Sequence, residues 1–125
     1  MMSHRKIFIQ STLDHANNIE GLEHNFSERG LGILYDYLLI SPVTVDSLPE
    51  FDMNDPDDII QCYCEQTLEE AVKEYSLTLL DNLYGRNEDN LKLLKDITLD
   101  QVVTVFSRYT KVFRISDNKI LYLMF

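Results

Sequence analysis

The chain contains little positive charge for its size. Its 125 residues include 11 lysines and arginines against 21 aspartates and glutamates, which gives a net charge of -10. Proteins that bind nucleic-acid phosphates use clustered cations, so this balance argues against direct nucleic-acid binding. Apolar runs are also short, and none reaches the length of a membrane span. We therefore expect neither nucleic acid nor a membrane as a direct partner.

Cysteines are scarce as well. The chain has two, Cys62 and Cys64, and a disulfide between such close neighbours would be strained in regular structure. A pair of free thiols is typical of a cytoplasmic protein. The first ten residues contain two cations followed by only three apolar residues, too few for the apolar core of a secretory signal. These features predict a cytoplasmic location.

No residue pattern in the chain specifies a reaction. Gly30-Leu31-Gly32 begins like a phosphate loop, but Tyr35 occupies the third glycine position, which favours a helix stop followed by a turn. The acidic segment 52–58 begins like a calcium loop and departs from that pattern at three decisive positions. The cysteines and the three histidines lack the spacing of zinc ligands. The sequence therefore predicts a protein without a metal, a cofactor or enzymatic activity.

The length and an apolar content of 45% predict one globular domain over residues 1–125. In the first third, the apolar run inside Arg5–Gln10 predicts a short strand. Apolar residues at helical spacing predict a helix over Ser11–Arg29. Ile33–Ile40 is almost wholly apolar or aromatic and is interpreted as a buried strand, with a helix over residues 27–40 as the alternative.

The middle of the chain predicts a loop and two helix starts. Residues 41–54 contain two prolines, which is typical of a loop. Asp55 can cap a helix that has a proline at its first position. Thr67 and Glu70 have the spacing of a capping box. Apolar residues then recur at helical spacing over Leu68–Leu83, so a long helix is expected there.

The last third predicts two more helices and a hairpin. A short helix is expected over Asn87–Lys95, and Thr98 begins another through a second capping box. Lys111–Ile115 alternates like a strand, and a turn pair precedes the return strand, Lys119–Phe125. That strand is expected at the centre of a sheet, because neither of its faces is polar.

Together these patterns predict an α+β fold. A small mixed sheet is expected, built from an N-terminal strand-helix-strand unit and the C-terminal hairpin. Three to four helices are expected to cover this sheet, since an apolar sheet face must be buried against another element.

The negative charge is concentrated in the middle of the sequence. Residues 41–90 contain thirteen acids and two cations, a net charge of -11. Residues 1–40 have a net charge of -2 and residues 91–125 one of +3. A solvated face that keeps the protein in solution is the simplest interpretation. Concentrated like charges also repel one another, so a functional use of the block is the alternative.

This combination of small size and strong acidity is similar to that of bacterial immunity proteins, which neutralise nuclease toxins. The similarity lies in size and charge, and no motif carries it. It implies a cytoplasmic inhibitor that binds a basic nuclease-type toxin, with a monomer favoured. The alternatives are a chaperone for a secreted effector, a phage-encoded nucleic-acid mimic, and a small enzyme without a recognisable motif.

The partner surface is expected on the loop from Asp46 to Asn54 and on the exposed face of residues 55–74. Acids would speed association, and Phe51, Tyr63 or Tyr75 would anchor the centre of the contact. The predicted contact residues are Asp46, Glu50, Phe51, Asp52, Asp55, Asp57, Asp58, Tyr63, Glu65, Glu69, Glu70 and Glu74.

Overall fold

The computed structural model describes residues 3–19, 26–40 and 52–125. These residues form six α-helices, a 3₁₀ helix and three strands, which confirms the α+β class and exceeds the three to four helices expected. The elements in chain order are α1 (His4–Asn17), α2 (Glu28–Ile40), α3 (Pro56–Cys62), β1 (Tyr63–Thr67), α4 (Leu68–Glu74), α5 (Ser76–Leu83), the 3₁₀ helix (Glu88–Asp96), α6 (Leu99–Phe106), β2 (Val112–Ser116) and β3 (Lys119–Leu123).

The chain divides into two compact units. Unit 1 is Met1–Glu65 and unit 2 is Gln66–Phe125, so the boundary falls within β1. A single domain over the whole chain stays a prediction.

The N-terminal segment is a helix, so the strand predicted over Arg5–Gln10 is wrong. Helix α1 begins after Ser3, whose hydroxyl accepts a hydrogen bond from the backbone N–H of Lys6 at 3.2 Å. Its buried side chains lie three or four residues apart on one helix face. They are Phe8, Ile9, Thr12 and Ala16. The prediction rested on a run of three apolar residues, and periodicity in so short a segment does not distinguish a strand from a buried helix.

The helix predicted over Ser11–Arg29 has the wrong bounds. Ser11 lies inside α1, where its hydroxyl donates a hydrogen bond to the carbonyl of Ile7 at 2.7 Å instead of capping a helix. Helix α1 ends at Asn17, Asn18 is its C-cap, and residues 20–25 of the predicted helix lie outside the described residues. Serine is favoured at helix N-caps, but inside a helix its hydroxyl can also bond to the backbone carbonyl four residues earlier. The helix start predicted at Ser11 is wrong for this reason.

Helix α2 occupies the segment for which a strand is the first interpretation. The strand predicted over Ile33–Ile40 is therefore wrong, and the alternative helix over residues 27–40 is confirmed. Ser27 caps the helix, because its hydroxyl accepts a hydrogen bond from the backbone N–H of Gly30 at 3.0 Å. The fully buried leucines recur at helical spacing and are Leu31, Leu34 and Leu38.

Two glycines that resemble a turn signal lie inside α2. A β-carbon at Gly30 would overlap Oε1 of the Glu65 side chain, and one at Gly32 would overlap the guanidinium of Arg5. The helix stop and turn expected at Gly30 are therefore wrong. Glycine occurs at both positions because a neighbouring side chain approaches the helix backbone closely.

The helix start predicted at Asp55 is confirmed. The Asp55 carboxylate accepts a hydrogen bond from the backbone N–H of Asp57 at 3.0 Å, and Pro56 is the first residue of α3. Helix α3 ends at Cys62, and the chain passes directly into β1, a strand that the sequence patterns do not predict. Residues 41–51 of the predicted loop lie outside the described residues.

The helix start predicted at Thr67 is confirmed as well. The Thr67 hydroxyl accepts a hydrogen bond from the Glu70 backbone N–H, and the Glu70 carboxylate accepts one from the Thr67 N–H at 2.9 Å. The long helix expected over Leu68–Leu83 is instead two helices, α4 and α5. The chain leaves helical geometry at Tyr75, where φ is -111° and ψ is 28°.

The segment from Asn87 onward is helical as predicted, although it takes the tighter 3₁₀ form. Helix α6 begins at the predicted capping box, formed by Thr98 and Gln101. Within the three described segments, none of the helices combines the length and the apolar character that crossing a bilayer requires.

Strands β2 and β3 form the predicted antiparallel hairpin, in which Phe113 pairs with Leu121. Strand β3 lies between β1 and β2, so its predicted central position is confirmed. The remaining strand of this sheet is β1. The predicted contribution of an N-terminal strand-helix-strand unit is wrong, since that segment contains α1 and α2.

The core of unit 2 is an aromatic cluster. Phe106 and Tyr122 have no exposed surface, and their ring centroids lie 5.1 Å apart in an edge-to-face arrangement. Tyr75 packs 4.9 Å from Phe106, and Phe125 stacks on Tyr109 at 5.3 Å. Aromatic pairs in these geometries stabilise a core beyond the area they bury. The cluster joins α6, the end of α4 and the hairpin.

Candidate functional site: the acidic loop of unit 1

The negative charge divides unequally between the two units. Unit 1 contains twelve acids and three cations, a net charge of -9. Unit 2 contains nine acids and eight cations, a net charge of -1. The acidic surplus of the chain therefore belongs almost entirely to unit 1.

Four carboxylates lie at the start of α3, and we call Asp52, Asp55, Asp57 and Asp58 the acidic loop. Three of them hold its backbone: Asp52 accepts a hydrogen bond from the N–H of Asn54 at 2.9 Å, Asp55 caps α3, and Asp58 accepts one from the N–H of Asp52 at 2.8 Å. Each uses one carboxylate oxygen for this contact. The second oxygen of each accepts no hydrogen bond from the residues that the structure describes.

The Asp57 carboxylate is held by two other side chains. Its Oδ1 lies 3.2 Å from Nε2 of His15 in α1, and its Oδ2 accepts a hydrogen bond from Nε2 of Gln61 at 2.7 Å. Both oxygens are engaged, and the pair with His15 links α3 to α1. No sequence pattern signals this pair, because its members are 42 residues apart in the chain.

The predicted acids of α4 belong to unit 2. Glu70 completes the capping box, and the Glu74 carboxylate accepts a hydrogen bond from Nε2 of Gln66. Glu69 is exposed and makes no ion pair within the described residues. Glu70 and Glu74 therefore have structural roles. For Glu69, the described residues show no ion pair or hydrogen bond that would give its carboxylate such a role.

Two of the predicted contact residues are buried. Glu65 is 3% exposed, and its Oε1 accepts hydrogen bonds from the backbone N–H and the hydroxyl of Ser27 at 3.2 and 3.0 Å. Tyr63 is 2% exposed. Neither side chain is accessible to a partner, which corrects this part of the predicted surface. Both residues lie in β1, where alternate side chains face the interior. The sequence patterns do not predict this strand, so they do not predict the burial of these two side chains.

The predicted aromatic anchors are not available on the described surface. Tyr75 is half-buried in the aromatic cluster of unit 2, and Tyr63 is buried. Phe51 lies outside the described residues, as do Asp46 and Glu50.

Reactive side chains are few in the part of the chain that the structure describes. Cys62 and Cys64 are not joined by a disulfide. Burial, together with the nearby negative charge of Asp58, raises the pKa of Cys62 and so disfavours the nucleophilic thiolate. Among the described residues, no three histidine, cysteine, aspartate or glutamate side chains are grouped so that they could hold a metal ion. The acidic loop is suited to attracting the cations of a partner.

No protein-family model matches the chain, and neither a curated protein nor a solved structure matches it. Because a fold does not by itself imply a function, the acidic loop is the feature on which a function can rest.

Proposed function

We propose that this protein binds and inhibits a specific basic partner, and that the acidic loop forms part of the contact surface. The observation that supports this is the arrangement of the loop within a unit of net charge -9. Its carboxylates are fixed by hydrogen bonds before any partner arrives. Groups that are already ordered lose less conformational entropy on binding, so more of their interaction energy appears as affinity.

A nuclease-type toxin is the partner whose chemistry suits this surface best. A nuclease presents cations to the phosphate backbone of its substrate. An acidic inhibitor can cover that surface and is drawn to it by long-range attraction. The proposal is therefore an immunity protein that acts as a monomer in the cytoplasm and does no chemistry of its own.

The test removes charge from the loop without removing its hydrogen bonds. Asparagine keeps a side-chain oxygen that accepts a capping hydrogen bond, and it is as good an N-cap as aspartate. The loop triple variant is D52N, D55N and D58N. The control triple variant neutralises three exposed acids of unit 2, D89N, D96N and D117N. Both variants have the same net charge, so a difference between them reports position.

The experiment has two steps. Immobilised parent protein and both variants capture proteins from a native lysate, and a partner retained by the parent and the control but lost by the loop variant is purified. Its nuclease activity is then measured with added parent protein. Stoichiometric inhibition supports the proposal. Equal capture by all three proteins, or an unaffected activity, would contradict it.

A chaperone for a secreted effector is the second candidate, and one observation favours it. Leu77 of α5 and Leu91 of the 3₁₀ helix are 51% and 47% exposed and line a groove of about 170 Å³ in unit 2. Effector chaperones are expected to expose apolar patches and to dimerise. Light scattering decides between the two: a dimer that becomes a monomer in the Leu77→Asp variant favours the chaperone, and a monomeric parent favours the inhibitor.

A further inference from the structure

A second groove in unit 2 lies between α4 and the 3₁₀ helix, and we call it the α4 groove. Its volume is about 320 Å³, at the lower end of the range of protein binding pockets. Its apolar lining comes from both elements and from the residue that follows the 3₁₀ helix. These side chains are Leu68, Val72, Leu94 and Ile97.

The apolar lining is only partly covered by the fold. Leu68 and Val72 are four residues apart in α4 and therefore share one helix face. Both are half-buried, as is Leu94, whereas Ile97 is 5% exposed. The groove thus presents aliphatic surface to water, and burying it would favour association.

Charged side chains complete the lining, and they are Glu69, Lys73 and Lys95. Each lysine lies in the last turn of its helix, a position that the helix dipole favours. Within the described residues neither lysine forms an ion pair. The lining therefore has one positive charge in excess, in a chain whose net charge is -10.

Two of the three arginines of the same unit form ion pairs, which shows that such pairing is available there; the third, Arg108, donates a hydrogen bond to Asn82 instead. Arg86 forms an ion pair with Asp81 at 2.5 Å, and Arg114 forms one with Asp100. The two lysines of the α4 groove have no such aspartate, although acids outnumber cations in unit 2 as well. They are therefore available to a carboxylate from outside the chain.

We propose that the α4 groove docks a segment of a protein partner in which an aliphatic side chain is flanked by a carboxylate. The aliphatic side chain enters the groove, and the carboxylate lies against Lys73 and Lys95. A basic segment would be repelled by the same lysines. Among the described residues, the lining includes no aromatic side chain on which a nucleic-acid base could stack. The α4 groove belongs to unit 2 and the acidic loop to unit 1, and the groove takes a segment of the opposite charge.

The net charge of the protein makes the test stringent. A protein of net charge -10 repels an acidic peptide at long range, so binding requires a local site that overcomes this repulsion. The probe is a fluorescein-labelled hexapeptide of alternating leucine and aspartate, and its binding to the full chain is followed by fluorescence anisotropy. A peptide with lysine in place of aspartate tests the charge, and one with serine in place of leucine tests the apolar contact.

Two lysines of the 3₁₀ helix provide a matched pair of variants. Lys95 lines the groove, whereas Lys92 is exposed on the same helix and does not line it. Both substitutions, Lys95→Gln and Lys92→Gln, change the net charge equally. We expect Lys95→Gln to weaken binding of the leucine–aspartate peptide about two- to fivefold, the upper part of the range for one exposed ion pair, and Lys92→Gln to leave it nearly unchanged.

The proposal is supported if the leucine–aspartate peptide binds, both altered peptides bind more weakly, and only Lys95→Gln reduces affinity. Absence of measurable binding at about millimolar protein, equal binding of the lysine peptide, or equal losses in the two variants would overturn it. The loop triple variant should bind the peptide at least as well as the parent does, so failure here leaves the proposed inhibition of a basic partner separately testable.

Discussion

Unit 1 and unit 2 balance their acidic side chains in different ways. In unit 2, ion pairs with arginine hold Asp81 and Asp100. In unit 1, the carboxylates at the start of α3 bond mainly to backbone N–H groups. A backbone N–H orders a carboxylate but leaves its full charge in place. Unit 1 has one arginine pair, Arg5 with Asp36, and only three cations for twelve acids, so it has a surplus of negative charge. This surplus costs self-repulsion, which a binding function would explain.

The two units also differ in what holds their cores together. Unit 2 has an aromatic cluster around a central strand, whereas unit 1 packs the apolar faces of its helices and, among its described residues, buries the carboxylate of Glu65. The stability of an apolar core is little affected by charge changes at the surface. A buried carboxylate, in contrast, destabilises the protein if any of its hydrogen bonds is lost. The comparison predicts where each unit is most sensitive to substitution.

The largest effect is expected in the core of unit 2. Phe106→Ala removes a fully buried ring that contacts three other aromatic side chains. The free energy of unfolding should fall by about 3–5 kcal/mol, measured by urea denaturation. The control is Leu91→Ala, since this side chain is 47% exposed and should change stability by less than about 0.5 kcal/mol. A loss below about 1 kcal/mol for Phe106→Ala would mean that the cluster does not carry the core.

A second effect concerns alkaline pH and unit 1. Burial, with smaller contributions from Tyr37 and Cys62, raises the pKa of Tyr63 to about 12 from 10.0. The unfolded chain ionises this tyrosine at lower pH than the native protein does. The stability that it contributes is therefore complete below pH 10 and is lost as pH rises towards 12, by about 2–3 kcal/mol.

The check compares the parent with the Tyr63→Phe variant over this pH range. Chemical denaturation should show a steeper fall in the unfolding free energy of the parent than of the variant between about pH 10 and pH 12. The same slope in both proteins would show that Tyr63 titrates normally and is not enclosed as the structure has it.

A smaller effect separates the two glycines of α2. Replacing glycine by alanine inside a helix usually stabilises a protein by about 0.5–1 kcal/mol. At Gly30 the new β-carbon displaces the buried Glu65 carboxylate, so we expect a loss of about 1–3 kcal/mol. At Gly32 it meets the guanidinium of Arg5, the end of an exposed, flexible side chain that pairs with Asp36 at the surface and can shift, so Gly32→Ala should be neutral or stabilising.

Thermal unfolding of both glycine variants measures this difference. A double-mutant cycle with Glu65→Ala adds a stricter requirement, because removing the carboxylate should relieve most of the cost of Gly30→Ala. Equal melting temperatures for the two alanine variants would contradict the close approach of Glu65 to α2.

The sequence predicts the elements that are defined by local hydrogen bonds. The caps at Asp55, Thr67 and Thr98 and the C-terminal hairpin are all confirmed, because side chains a few residues apart decide them. The sequence-based predictions are wrong for segments whose secondary structure is determined by tertiary packing. The apolar segments before Gln10 and after Gly32 have strand-forming residues but are helices, since their buried faces meet other helices.

The candidate site shows the same division. The capping role of Asp55 follows from the sequence, whereas the burial of Glu65 does not, because it depends on β1 and on Ser27, 38 residues away. The contact of His15 with Asp57 and the convergence of Lys73 and Lys95 are likewise products of the fold. Charge composition identified the acidic middle of the chain, and only the structure separates its exposed acids from its buried one.

The most direct test of the central claim is the association rate of the purified partner with the parent, the loop triple variant and the control triple variant, measured from about 50 mM to about 500 mM salt. Charge steering raises association rates by about 10-fold or more at low salt and fades as salt screens it. At low salt, we expect the loop triple variant to associate about 10-fold more slowly than the parent and the control triple variant to associate at nearly the parent's rate. At high salt, we expect the association rates of all three proteins to converge. Equal rates for the loop variant and the control across the series would show that the acidic loop is only a solvated surface.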